Sequence, residues 1–251
     1  MAPRLGIQLY TLRDHVGPAV FRETLRMVAD LGFAGVEFAW QYGGMSPEEL
    51  GDFLLSLDLA CCGMHVQLSE LLEPDHIVYD YAQRTGAPFI TTSLCQQTAE
   101  FARLCPQLDE AGRIAADKGL VFTYHNHWQE FEPGPDGLPQ DLLLANTLAT
   151  HVRLELDLGW VRKAGGDALA FWRRERARTP QVHLRDYDTE AGTVCDVGDG
   201  FLDPLAVWKQ ACELGTEWLI YEQDRYPVSP QLSCQTCARR MCSAMAGKPA
   251  Q

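Results

Sequence analysis

In Lys118-Gly-Leu-Val-Phe-Thr-Tyr-His125 an amphipathic stretch beginning near Ala99 stops at a glycine, and an apolar, β-branched and aromatic run follows at once. Glycine just past a helical pattern is a helix-stop signal, and the run after it predicts a strand over 120–125. The same helix-then-strand couplet recurs in both directions. Toward the N-terminus, strands are predicted at Leu5–Tyr10, Gly35–Phe38, Ala60–Val66 and Phe89–Thr92. Helices fall between them at Phe21–Leu31, after Ser46 and over about Pro74–Arg84, and Ser46-Pro-Glu-Glu49 is a capping-box signature with proline at the first helical position. Toward the C-terminus come a helix near Pro139–Leu148, a strand at Val152–Asp157, a helix near Asp167–Arg178 and a strand at Gln181–Arg185. Helix Pro204–Leu214, strand Trp218–Glu222 and helix Ser229–Met245 close the series. Eight uninterrupted strand–helix units predict an α/β chain forming one (β/α)₈ TIM barrel across residues 1–251. The runner-up is an open doubly wound sheet, which would often carry a glycine-rich phosphate loop after its first strand. Gln8-Leu-Tyr-Thr-Leu-Arg13 has no such pattern.

Composition narrows the function classes. Lys and Arg number 21 against 34 Asp and Glu, a net charge of −13. That balance argues against broad nucleic-acid or anionic-membrane binding and leaves room for a local basic pocket. No apolar run approaches the roughly 20 residues of a membrane span. Met1-Ala-Pro-Arg-Leu-Gly-Ile7 enters a strand without a signal segment, so a cytoplasmic location is expected. Nine cysteines, an odd number with irregular spacing, fit reduced thiols better than a disulfide framework. Cys234-Gln-Thr-Cys237 with nearby Cys242 resembles half a zinc site, but no second CxxC completes it, and packed or exposed thiols are the favoured reading.

Barrel chemistry gathers at the C-terminal strand ends. Those ends carry Gln8 and Tyr10, Glu37, His65, Tyr124-His-Asn-His127, Asp157, His183-Leu-Arg-Asp186 and Glu222-Gln-Asp224. His151 lies at the other end of its strand and reads as structural. Asp157, His183 and Glu222 end consecutive strands, and one imidazole with two carboxylates suits a divalent ion. The competing reading is a buried salt-bridge cluster, which desolvation makes expensive.

With these residues the chain resembles the xylose isomerase-like TIM-barrel family, which includes sugar and sugar-phosphate isomerases and epimerases, inosose dehydratases and endonuclease IV. The resemblance runs from Gly6-Ile-Gln-Leu-Tyr10 to Tyr221-Glu-Gln-Asp224. It is most specific at Tyr124-His-Asn-His127, Leu156-Asp-Leu-Gly-Trp160, Ala164-Gly-Gly-Asp167, His183-Leu-Arg-Asp186 and Val197-Gly-Asp-Gly200, and looks like the subgroup with a YHNH strand. The resemblance implies a metal held by Glu, Asp, His and Glu from strands five to eight. Asp157, His183 and Glu222 match, whereas His125 stands at the first Glu, unless Glu130 or Glu132 reaches back from the loop. Trp160 stands where many relatives carry His, which together with the net charge counts against DNA repair.

The resemblance therefore implies one divalent metal (Mn, Co or Zn, with Mg or Fe also compatible) on Asp157, His183, Glu222 and His125. It implies enediolate chemistry on a sugar or keto-sugar, with Glu222, His125 and His65 as catalytic candidates. Gln8, Tyr10, Glu37, Asn126, His127, Arg185 and Trp160 are candidate substrate contacts, and Trp40 can also face a sugar ring. Isomerisation or epimerisation is the leading expectation. A keto-sugar or inosose dehydratase or lyase on the same site is the alternative, since a single imidazole disfavours a symmetric two-carboxylate epimerisation. A non-catalytic sugar-binding barrel and a metal phosphodiesterase rank below these. The expected partner is a small carbohydrate, with no nucleic acid and no membrane, and a homo-oligomer is left open.

Overall fold

Eight parallel strands close into a barrel in chain order. They are β1 (Arg4–Gln8), β2 (Gly35–Ala39), β3 (Ala60–His65), β4 (Phe89–Thr92), β5 (Val121–His125), β6 (Arg153–Asp157), β7 (Gln181–Leu184) and β10 (Trp218–Tyr221). Between the last two, β8 (Asp186–Asp188) and β9 (Thr193–Cys195) form an antiparallel hairpin that the sequence pattern did not announce. The helices are α1 (Phe21–Asp30), α2 (Pro47–Ser56), α3 (Leu68–Leu71), α4 (Ile77–Thr85), α5 (Phe101–Asp117), α6 (Pro139–Asn146), α7 (Leu158–Lys163), α8 (Ala168–Arg174), α9 (Pro204–Leu214) and α10 (Pro230–Met245). The computed structural model describes residues 2–94, 101–134 and 137–248. Cys95, the start of the helix expected from Ala99, and Pro135 and Asp136 lie outside them.

Local chemistry sets the element ends. Ser46 and Glu49 make the reciprocal capping box at the start of α2. Gly86 and Gly215 end α4 and α9 in the left-handed conformation. The first strand stops earlier than predicted because the Gln8 side chain accepts from Tyr10 N at 3.1 Å and starts a 3₁₀ turn over Leu9–His15. Asp157 ends its strand in a similar way: Oδ1 accepts from Trp160 N at 2.9 Å and caps α7.

The main apolar core lies between strands and helices. Inside the ring a second, smaller plug of Cys62, Phe89, Trp218 and Ile220 fills the N-terminal end. Above it the barrel turns polar: Thr91 and Thr123 are 2.6 Å apart, and Gln181 bridges Thr123 and the Cys62 carbonyl. A bulge in β3 shifts the register, so that Val36 pairs with Cys61 but Glu37 with Gly63. The extra residue lets Cys62 face the plug while His65, higher up, also points inward. Cys234 and Cys237 are buried on the inner side of α10 and Cys242 is exposed. Among the described residues, groups of ligand-type side chains close enough for a metal ion occur only inside the barrel. No helix among them is long and apolar enough to cross a membrane.

Candidate active site

The C-terminal strand ends open onto a cavity of about 370 Å³. Tyr10, Trp40, Trp128 and Trp160 supply aromatic wall, and Gln8, His65, His125, Arg185 and Glu222 supply polar lining. Trp40 ends β2 in the left-handed region at φ 56°, where a bulky residue is rarely found. That twist sets its ring edge-on to Tyr10 and to His65, with centroids 6.5 and 6.2 Å away. His127 stacks on Trp160 at 6.0 Å, and burial together with neighbouring His125 pushes its imidazole down to about 2.

Below the cavity two tiers of charge are joined through His183. In the upper tier Arg185 is a buried guanidinium with three carboxylate partners: Asp157 Oδ2 at 2.8 Å, Glu222 Oε2 at 2.9 Å and Asp224 Oδ1 at 3.0 Å. Its cation also lies 4.2 Å from the Trp160 ring centroid. Gly159 makes this approach feasible, because a Cβ there would stand 2.6 Å from the Arg185 carbonyl oxygen. Burial disfavours the ionised form of Glu222, but Arg185 and His183 hold its carboxyl well below the usual range.

The lower tier centres on Glu155. Its Oε2 lies 2.6 Å from His65 Nε2 and 3.2 Å from both His125 Nδ1 and His183 Nε2. His183 also reaches Glu37 Oε2 through Nε2 at 2.8 Å and Glu222 Oε2 through Nδ1 at 2.7 Å. Burial works against the charge on His183, but Glu155 and Glu37 raise its basicity well above the imidazole range. Burial, then the nearby Glu155, pushes Glu37 up to about 7. His125, disfavoured as a cation by burial and by His183, shifts down.

These residues fit a divalent ion. His125, Asp157, His183 and Glu222 present ligand atoms within 4.8 Å of one another, and so do His65, His125, Glu155 and His183. Donors about 2.0–2.2 Å from a common ion stand at most roughly 4.4 Å apart, so both sets come close to the spread that one ion allows. Glu155 Oε1, His125 Nδ1 and Glu37 Oε1 are buried without a hydrogen-bond partner, and buried polar groups normally have one.

Most of the residues expected from sequence converge here, with some changes of place. Gln8, Tyr10, His65, His125, His127, Trp160, Arg185 and Glu222 border the cavity. Tyr10 does so from the 3₁₀ turn, outside its strand. Glu37 is buried beneath the lining, where it accepts from Gln8 Nε2 at 2.8 Å and meets His183. Asn126 spends its amide on the Asp157 backbone, accepting from N at 3.0 Å and donating to O at 3.3 Å. Glu130 is taken up by Tyr124 Oη at 2.7 Å and His127 N at 2.9 Å, and Glu132 is exposed, so neither belongs to the donor sets. Asp186 accepts from Tyr187, Gly198, Gly200 and Leu202 N–H groups, tying the Val197–Gly200 loop to the end of β7. Glu155 was missed. Its signal was its spacing, two residues before Asp157 on the same strand face.

Residues 25–235 match the sequence profile described as xylose isomerase-like TIM barrel. The chain belongs to this family. Among similar proteins, an inosose dehydratase of Halalkalibacterium halodurans is 31% identical over 120 residues, covering 47% of this chain and 37% of that protein. The match spans between 32% and 48% of the length of the curated relatives. A sugar phosphate isomerase/epimerase from Parabacteroides distasonis superposes with a TM-score of 0.77 at 18% identity, over 94% of this chain and 96% of that one. A 3-keto-D-glucoside 4-epimerase from E. coli gives 0.70 at 15% identity, over 98% of each chain. Against the pattern the resemblance implies, His125 stands in place of Glu, and Arg185, within the matching His183-Leu-Arg-Asp186 motif, lies between two of the implied metal-binding carboxylates.

Proposed function

We propose that the cavity is the active site of a divalent-metal-dependent enzyme that moves a proton at a carbon beside a carbonyl, acting as an isomerase or epimerase on a sugar or keto-sugar. The carrying observation is the buried convergence of His125 and His183 with carboxylates directly under an aromatic-walled cavity. The relatives and neighbours named above support an enzyme of carbohydrate chemistry. The ion would be held by His125 and His183 together with Asp157 and Glu222, or with His65 and Glu155. When bound, it supplies Lewis acidity to a carbonyl oxygen.

The chain's own groups do the rest. The aromatic walls present flat faces to the apolar side of a sugar ring. Glu222, a carboxylate bordering the cavity, accepts a proton from the carbon beside the carbonyl. With the ion on the set that contains Asp157 and Glu222, His65, on another part of the lining, returns or relays a proton. Return to the opposite face gives an epimer, and return to the neighbouring carbon an isomer.

A second reading, dehydration of a keto-sugar or inosose by expulsion of a β-hydroxyl, is favoured by one observation: an imidazole, His125, replaces the second carboxylate that symmetric epimerisation would use. The match to inosose dehydratases supports it. The test is incubation with keto-sugars and inososes in deuterated buffer. Uptake of deuterium beside the carbonyl, abolished by chelation and restored by metal, is expected. Exchange indifferent to chelation would refute the metal-dependent reading.

A further inference from the structure

The two donor sets share His125 and His183, and the structure treats them differently. In the upper set Asp157 Oδ2 and Glu222 Oε2 already face a full positive charge, the Arg185 guanidinium, at 2.8 and 2.9 Å. The other Asp157 oxygen caps α7. His125 Nε2 stays 4.0 Å from Asp157. Placing a divalent cation there would bring it against a buried guanidinium or force Arg185 out. Leaving would cost Arg185 three ion pairs and its seat over Trp160. The lower set has no guanidinium. Three imidazole nitrogens surround one Glu155 oxygen, and the other, Oε1, has no hydrogen-bond partner although buried.

Resting on the metal-dependent reading above, we propose that the divalent ion sits in the lower tier, held by His65, His125, Glu155 and His183, while Arg185 takes the place of a cation between Asp157 and Glu222. Tetrahedral donors about 2.0–2.2 Å from an ion stand roughly 3.3–3.6 Å apart. Two of the contacts around Glu155 Oε2 are already 3.2 Å, and only His65, at 2.6 Å, has to back away by less than an ångström. Glu37, 3.5 Å from His65 and 2.8 Å from His183, is a second carboxyl beside this seat, and a dication there favours its ionised form. His65 and His125 border the cavity, so the ion's upper side faces it. Three imidazoles and one carboxylate select borderline ions such as Zn²⁺ or Co²⁺ over Mg²⁺.

The test is metal binding by the whole chain after chelation, read by Co²⁺ titration and by X-ray absorption of the Co²⁺ and Zn²⁺ forms. The wild type should show three imidazole neighbours. His65→Ala and Glu155→Gln should each weaken Co²⁺ affinity by more than about a hundredfold, beyond the 10- to 100-fold typical of losing a ligand's hydrogen-bond partner. Glu222→Gln, which among these ligands alters only the partner of His183 Nδ1, should cost no more than roughly that 10- to 100-fold. Two imidazole neighbours, or loss of metal in Glu222→Gln with retention in His65→Ala, would move the ion to the upper tier; the lower seat would then be wrong and the metal-dependent reading would stand. No uptake by the wild type would overturn both. The absorption measurement needs no variant and decides the matter even if Glu155→Gln fails to fold.

Discussion

Replacing Arg185 with Met should expose how much of the barrel's stability depends on one buried cation. The guanidinium is fully buried and touches Asp157, Glu222 and Asp224; the first two are buried and Asp224 is partly open to solvent. Methionine keeps much of the length and removes the charge. Breaking a buried ion pair from one side typically costs about 3–5 kcal/mol, because the partner stays behind uncompensated. Loss of the contact with Trp160 adds to this. For a chain of this size each kcal/mol is worth roughly 2–4 °C in Tm, so a drop of roughly 6–20 °C is expected.

The pH dependence should reverse as well. In the wild type Glu222 is held below its ordinary range, so its stabilising contribution is present above the unfolded value and is lost as pH falls through the folded one. With Arg185 gone, burial acts on Glu222 with His183 and His125 left to oppose it. Destabilisation of the variant should therefore grow as pH rises through the carboxylate range, and the two proteins should converge in acid. A divalent ion should then find room between Asp157 and Glu222. At a hundred times its Kd it would return about 2.7 kcal/mol, and more to the variant than to the wild type. Urea and thermal unfolding at pH 5 and pH 8, with and without Zn²⁺, measures all of this. A loss under about 1 kcal/mol, against the 3–5 expected of a broken buried pair, would refute the reasoning, as would equal metal stabilisation of both proteins.

Two further outcomes test the frame around the site. Ser46→Ala removes one half of the α2 capping box and should cost about 1 kcal/mol in urea unfolding with no change in metal affinity. Alkylation of the native protein followed by mass analysis should modify the exposed Cys212 and Cys242 quickly and spare Cys61, Cys62, Cys105, Cys234 and Cys237 until the chain unfolds.

The barrel was legible because its signals are local. Gly119 stopping a helix, Ser46 with Glu49 starting one, and the apolar run before Asp157 each declare themselves within a few residues, and eight such couplets admit few topologies. The hairpin at Asp186–Asp188 and Thr193–Cys195 was not legible. It is held by Asp186 collecting backbone N–H groups from residues up to 16 positions away, which leaves no periodic trace. The strand-end residues were readable because the fold dictates where they point. What they touch was not: sequence order placed Arg185 near His183 but could not show its guanidinium among three carboxylates. Glu155 was passed over because attention to strand ends stops one tier too high, although a strand that turns Asp157 inward must turn Glu155 inward too. Glu37 likewise looked like a cavity residue and proved to lie one tier below.

The two departures from the pattern implied by the family resemblance, His125 and Trp160, both bear on the charges around Arg185. An imidazole at His125 removes a negative charge from the upper tier. Glu155 stands one tier lower, within 3.2 Å of that same imidazole, and puts a carboxylate back. In the tier above, between the buried Asp157 and the cavity-bordering Glu222, a single guanidinium fills the space, and Arg185 supplies it. Trp160, standing where many relatives carry His, offers no ligand and covers that guanidinium with its ring. On the proposed lower seat the donor atoms belong to Glu155 and the three histidines around it, while Arg185 compensates Asp157 and Glu222. The position of the guanidinium charge, more than the fold, therefore decides which carboxylates face a further cation.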